Sequence, residues 1–193
     1  EIRLSLVGSE MCIRDRVELS TGKAQDLVVR LEQGKVDLLC CYEHPALSVP
    51  LSPARYRYMT LATDKLVPVS QVDARGRARY TLQDGGAPVP LITYTGGLAM
   101  ERIVGDRLET TPYALTPFVR SDSLDAAHGA VAKGVGVAWL PWSMVAADCR
   151  RGALAALGGR SEEIAFEVRL YRPRARLTDL AEAAWEATAN RKA

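Results

Sequence analysis

Hydroxyl side chains gather at three places where the chain turns into a helical pattern: Ser20-Thr21-Gly22, Thr95-Gly96-Gly97 and Ser121-Asp122-Ser123. At a helix start the first backbone N–H groups have no carbonyl partner and the helix dipole is positive, so such a spot can hold a carboxylate or another acceptor. The chemistry on offer is therefore recognition of a small polar group. Each hydroxyl can equally serve as an N-cap, which is the commoner employment of Ser and Thr there. Asp122 works against an anion, because a carboxylate beside the pocket repels one unless it turns outward or meets a cation; an amine-bearing or neutral ligand suits it better. Tyr42, with Glu43 and His44, ends one apolar run, and Tyr94 ends another. Trp139 and Pro141 end a third, and these residues could form an aromatic wall. For Trp139 and Tyr94 packing in the core is an equal reading, while His44 before Pro45 reads as a solvated turn and His128 as structural.

Catalysis is not indicated. No nucleophile, base and orienting group share a recognisable spacing, so the chain is read as a non-enzyme that needs no cofactor. Cys12, Cys40, Cys41 and Cys149 form no C-x-x-C pair and no metal set with a histidine, so no metal site is read. Cys40 and Cys41 point to opposite faces of a strand and read as two reduced buried thiols. The Gly-Gly pairs do not make a G-x-G-x-x-G or a phosphate loop.

With 25 Lys and Arg against 23 Asp and Glu, the formal charge of +2 is too small to mark a face that tracks phosphates. Arg55, Arg57, Arg75, Arg77 and Arg79 read as a solvated edge. No apolar run is long enough to cross a membrane and no secretory signal is evident, so the expected location is the cytoplasm.

The elements that must place these residues alternate. Val17-Glu18-Leu19 is expected as a short strand, followed by a helix with Leu27, Val28 and Leu31 on its stripe, and by the near-continuous apolar run Val36–Tyr42. Tyr56–Ser70 reads as two strands broken near Asp64 and Lys65. A second set follows: strand Val89–Tyr94, a helix bearing Met100, Ile103, Val104 and Leu108, strand Leu115–Val119, a helix ending at Gly134, and strand Val135–Leu140. Pro141 opens a short helix to about Arg150, Ile164 to Leu170 alternates as a strand, and a last helix starts after Thr178. Strands alternating with helices indicate an α/β chain with mostly parallel sheets.

Several of these segments resemble one family: the βα unit with Ser20-Thr21-Gly22, the run Val36-Asp37-Leu38-Leu39-Cys40-Cys41-Tyr42 after Gly34, the return Lys133-Gly134-Val135-Gly136-Val137-Ala138-Trp139-Leu140-Pro141, and the late strand Val168-Arg169-Leu170-Tyr171-Arg172-Pro173. In this order they resemble the effector-binding domain of LysR-type transcriptional regulators. The resemblance covers roughly Val17 to Thr188. It implies an α/β fold of two Rossmann-like lobes, of the periplasmic-binding-protein type II kind, joined by two crossover strands with a small-molecule effector between them. Lobe I would comprise 17–69 plus 163–193 and lobe II 70–159, with 160–162 as the return connection. Family members use equivalent helix starts to bond carboxylate effectors. The implied effector-binding set is Ser20, Thr21, Tyr42, Tyr94, Thr95, Gly96, Ser121, Asp122, Ser123, Trp139 and Pro141.

The resemblance also implies a homo-oligomer, dimer or tetramer, in the intact parent, and DNA contact only through a helix-turn-helix domain that this sequence lacks. A periplasmic-type solute-binding protein is the alternative, and a small enzyme on the same scaffold ranks below it. The sequence opens on Glu1, and Ser5 to Arg16 resembles a peptide that recurs in translated adapter read-through, so 1–16 is expected to be a non-family or artefactual segment standing where lobe I should have its first strand and helix. Burial lost at about 25 cal/mol per Å² over several hundred Å² is comparable with a domain's whole stability. A marginal or sticky product is therefore expected, and light scattering that finds a well-folded monomer overturns that expectation.

Overall fold

The computed structural model of this protein describes residues 17–190. In chain order the elements are α1 (Ala24–Glu32), β1 (Leu39–Glu43), β2 (Tyr56–Gln71), β3 (Val89–Tyr94), α2 (Ala99–Leu108), β4 (Leu115–Ser121), α3 (Leu124–Ala132), β5 (Ala138–Pro141), α4 (Trp142–Arg150), β6 (Leu154–Ala156), a 3-10 turn (Arg160–Glu162), β7 (Ile164–Pro173) and α5 (Asp179–Asn190). The helices follow their apolar stripes: Val28 and Leu31 are the buried positions of α1, and Met100, Ile103 and Val104 those of α2.

β2 is a single strand of 16 residues, not the two strands expected, and it spans about 50 Å. The polar pair Asp64 and Lys65, read as a break, sits within it because both side chains find partners far along the chain. Asp64 accepts from Ser143, and Lys65 pairs with Glu163 at 2.6 Å. β7 runs antiparallel to β2 from Tyr56↔Pro173 to Leu66↔Ile164, with one irregularity between Thr60 and Ala62. β5 takes the other edge of β2 from Leu66 to Val69.

The main sheet has the order β1-β7-β2-β5 with β6 also on β2, and every one of these pairings is antiparallel. Mostly parallel sheets were the expectation; among the described residues only β3 and β4 pair in parallel, joined by a parallel bridge from Leu91 to Val137. The reason is the two long strands, which run in opposite directions and supply most of the pairing. Val17–Leu19 forms no strand: Val17 and Leu19 are 63% and 91% exposed, and no strand pairs with them among the described residues. Cys40 is exposed rather than buried, since among the described residues β1 pairs with β7 alone and forms the edge of the sheet. Cys12 lies outside the described residues.

The segment Lys133 to Gly136 shows why its glycines stand where they do. Gly134 closes α3 with φ +72 and a double reversal, its own N–H bonding Val131 O and that of Val135 bonding Ala130 O. Gly136 passes so close to β3 that a Cβ would lie 2.6 Å from Pro90 O, while Val137 exchanges backbone hydrogen bonds with Pro90 and Ile92. Sequence spacing here sets how β5 docks on β3.

Two clusters of buried side chains result. The larger gathers β3, β5, α2, α3 and α4 with the adjoining ends of β2 and β7; the smaller holds Val28, Leu31, Leu39, Leu51, Tyr56 and Tyr171. The larger cluster is fastened to the start of β7 by Glu162, 3% exposed, which accepts from Arg107 at 2.9 Å and from Tyr113 at 3.0 Å while its carbonyl accepts from Trp139 Nε1 at 3.0 Å.

α5 is held by charge as well as packing. Arg172, 1% exposed, donates through both Nη atoms to the Glu182 carboxylate at 2.6 Å each, and Leu177 N–H donates to the same group at 2.9 Å. The Arg172 guanidinium, with that N–H, pulls the Glu182 carboxyl from 4.5 down to about 2. A carboxyl depressed on folding stabilises fully above its unfolded value and loses that contribution as pH falls through its folded one. Thermal melts should therefore show acid destabilisation from about pH 4.5 towards 2, and Glu182→Gln should flatten that part of the profile; an unchanged acid limb in the variant refutes this role.

Candidate functional site

A cavity of about 580 Å³ lies where the two buried clusters face each other. The first turns of α1 and α2, the strand β1, the 47–50 loop, mid-β7 and the start of α4 enclose it. A volume of this size takes a small organic molecule. Its walls are chiefly apolar, from Leu47, Val49, Leu98, Met100, Phe166 and Val168, and Tyr42 stands edge-on to Phe166 with ring centroids 5.1 Å apart.

The polar lining divides into groups that are already bonded and groups that are not. Asp64 Oδ2 accepts from Ser143 Oγ at 2.6 Å and from Ser143 N–H at 3.3 Å, so the chain's own carboxylate, reaching from β2, caps the start of α4 at the cavity wall. Glu101 Oε2 accepts from Gly97 N–H at 3.3 Å and settles against the start of α2. Lys23 and Arg102 line the cavity too, and neither enters an ion pair among the described residues. The Lys23 stem lies against Gly97, whose φ is +110 and whose added Cβ would meet Lys23 Cδ at 2.7 Å, so α1 and α2 touch across the opening.

The expected site residues are placed unevenly. Tyr42 and Pro141 line the cavity. Ser20 and Thr21 are exposed, and Ser20 accepts a hydrogen bond from Arg30 at 3.0 Å. Thr95 is half-buried in a backbone turn, donating to Ser121 O and accepting from Leu98 N–H, with Gly96 exposed beside it. Ser121 Oγ closes a local loop on Ser123, Asp122 is exposed, and Ser123 is the N-cap of α3, accepting from Ala126 N–H. Tyr94 and Trp139 are buried away from the cavity: Tyr94 donates to Trp139 O at 2.7 Å, and burial drives its ionisation far above the usual tyrosine range. Trp139 is wholly buried.

The cavity instead uses residues about one turn later than the hydroxyls. The N-caps of α1 and α2 are Lys23 and Leu98, and neither helix carries a side-chain cap. The Cβ vectors of a helix lean towards its N-terminus, so the first helical residues, not those before them, cover the helix end. Asp64, Phe166 and Val168 come from the crossing strands, which carried no chemical signal in the sequence.

Two thiols belong to the lining, Cys40 and Cys41, and burial pushes both up. Burial above all, then the neighbouring Cys40 and Glu43, push the Cys41 thiol up to about 12, which keeps it protonated and a poor nucleophile. No group of acidic, histidine and cysteine side chains is arranged to hold a metal, and no helix is long and apolar enough to cross a membrane, among the described residues.

The LysR substrate binding domain family matches residues 15–193, nearly the whole chain. This chain is a LysR substrate-binding domain. It is similar to the HTH-type transcriptional regulator YjiE of Escherichia coli, 24% identical over 161 residues that cover 83% of this chain and 51% of that protein. The chain thus spans about half the length of that curated relative. Among solved structures, the apo regulatory domain of HypT from Salmonella typhimurium superposes with a TM-score of 0.82 at 23% identity, covering 94% of this chain and 84% of that one. Vibrio fischeri DarR in complex with DNA, a LysR-type regulator, gives 0.79 at 27% identity, covering 94% and 60%. The α/β architecture is accordingly that of LysR regulatory domains, the periplasmic-binding-protein type II fold, and the family is one of transcriptional regulators.

If Tyr94 is a strut and not a ligand contact, Tyr94→Phe should cost about 1 kcal/mol of unfolding free energy while leaving the affinity of any cleft ligand unchanged. Calorimetric titration beside thermal melts tests this, and a loss of affinity without a loss of stability reverses the assignment.

Proposed function

We propose that the cavity between α1, α2, α4 and the crossing strands is the effector site of this LysR substrate-binding domain. Its occupancy would select one angle between the two halves of the molecule. The observation that carries this is a 580 Å³ cavity walled by both halves at once, since a ligand touching both binds one relative orientation better than another. Differential affinity of that kind is the only way a ligand shifts such an equilibrium. In the parent protein the change would pass through a dimer or tetramer to helix-turn-helix modules on DNA, in the cytoplasm. Lobe I is assigned to 17–69 with 163–193 and lobe II to 70–159, with 160–162 as the return connection.

The chain supplies its own anions to the starts of α4 and α2, through Asp64 and Glu101. Among the described residues Lys23 and Arg102 enter no ion pair, and with the uncapped start of α1 they are what the lining offers to an acidic group, at the rim of an apolar chamber. This supports a compact, mostly apolar effector with at most one polar end.

A thermal-shift screen of small carboxylates, amines and aromatics tests the reading. A ligand at 100 times its dissociation constant should add about 2.7 kcal/mol of stability. Leu98→Trp, which fills the cavity, should abolish that gain while leaving the free protein folded. A ligand that stabilises the variant as much as the parent binds elsewhere and defeats the assignment.

A further inference from the structure

Three chain reversals meet at one end of the molecule, away from the cavity. They are the turn between Val72 and Ala78, the α3–β5 turn at Lys133-Gly134, and the α4–β6 turn at Arg151-Gly152. Backbone bonds hold the first against the third, with Val72 N–H donating to Ala153 O at 3.1 Å. The first also meets the second: Gln71 Nε2 donates to Ala132 O at 2.9 Å, Tyr80 hydroxyl donates to Gly134 O at 3.1 Å, and a Cβ on Gly134 would lie 3.1 Å from Arg79 Cδ.

Each turn carries cations. Arg75, Arg77, Arg79, Lys133 and Arg151 are all exposed. The acidic side chains on these elements, Asp73 and Asp148, are already engaged: Asp73 accepts from the backbone N–H groups of Arg75 and Arg77 and lies 3.7 Å from the Arg77 guanidinium, while Asp148 is bonded to His128 and Arg151. Five cations against two acids, which pair with Arg77 and Arg151, leave a local excess of three positive charges on these turns, in a chain whose whole formal charge is +2. Arg55 and Arg57 belong to a different place, Arg57 lying over the Trp185 ring of α5.

We propose that this end of lobe II is a contact surface for the phosphate backbone of duplex DNA. The Asp73 cap fixes the turn in advance, so Arg75 and Arg77 are presented without an ordering cost, and guanidinium forks match phosphate oxygens. An acidic protein surface would need an apolar anchor at the centre of the contact. The large exposed apolar residues, Val17, Leu19, Val29, Tyr58 and Phe118, all lie outside the three turns. Binding through phosphates alone is indifferent to sequence, so the surface would add grip beside an operator without reading bases. It does not depend on the cleft reading, because no residue of the cavity takes part.

The test is fluorescence anisotropy with a labelled duplex of arbitrary sequence, titrated with the 193-residue chain from low to physiological salt. Weak binding is expected, with a slope of log K on log salt of about −4 for four to five phosphates. Arg75→Gln with Arg77→Gln should weaken binding at least about tenfold at low salt and reduce the slope by about 2. Lys35→Gln with Arg120→Gln, equal in charge change and distant from the three turns, should do neither. The Asp73 cap uses backbone donors, so the turn should survive the first pair; Arg79→Gln with Lys133→Gln gives an independent variant should it not. Absence of binding, or equal losses in test and control pairs, overturns the proposal. Competition by polyglutamate as strong as by duplex of equal charge overturns it too, in favour of an acidic polypeptide.

Discussion

The antiparallel pairing of β2 with β7 is the constraint on which the other elements depend. From Tyr56↔Pro173 to Leu66↔Ile164 these strands share one ladder, and both buried clusters are built on it, the smaller at the Tyr56 and Tyr171 end and the larger at the Leu66 and Ile164 end. β1 joins through β7, and β5 and β6 join through β2. A ladder of this length is laid down between segments about a hundred residues apart, so the two halves cannot assemble independently of it. The cavity lies beside the half of the ladder nearer Leu66, where Asp64, Phe166 and Val168 form part of the lining.

The cleft owes its character to self-capping. Helix starts that converge on a pocket would ordinarily make it a receptor for anions. Here Asp64 reaches from β2 to α4, and Glu101 folds back on the start of its own helix. The start of α4 and the turn before α2 are thereby met from within while α1 keeps no side-chain cap, and the remaining wall is chiefly hydrocarbon with the aromatic pair Tyr42 and Phe166. Selectivity in such a chamber comes from shape and from the few polar atoms left without partners.

Where local patterns set the structure, they were readable in the sequence. The stripes of α2, the Schellman ending of α3 at Gly134, the Ser123 cap and the alternation of β7 each involve residues within a few positions of one another. What local patterns do not encode is direction and distant partnership. Asp64 and Lys65 read as a break between two strands because their partners, Ser143 and Glu163, stand 79 and 98 residues away. Parallel pairing was inferred from alternating elements, yet the crossing strands decide the sheet. At the cavity the lining is drawn from the first helical residues more than from the hydroxyls, because Ser20 and Thr21 precede the helix proper and Thr95, Ser121 and Ser123 bond within turns. A total formal charge of +2 likewise says nothing of where the cations lie, and the meeting of the three turns that carry Arg75, Arg77, Lys133 and Arg151 is set by contacts between distant segments.

Glu162 fastens the last turn before β7 to α2 through Arg107 and to β5 through the Trp139 indole. α2 begins at the cavity and ends at this bond, so the helix acts as a rigid spoke between the chamber and the root of the strand. With its root clamped, β7 has no slack loop to swing on. The wall of the chamber at α2 is thus tied, through Arg107 and Glu162, to the root of the strand that supplies Phe166 and Val168 to the same chamber.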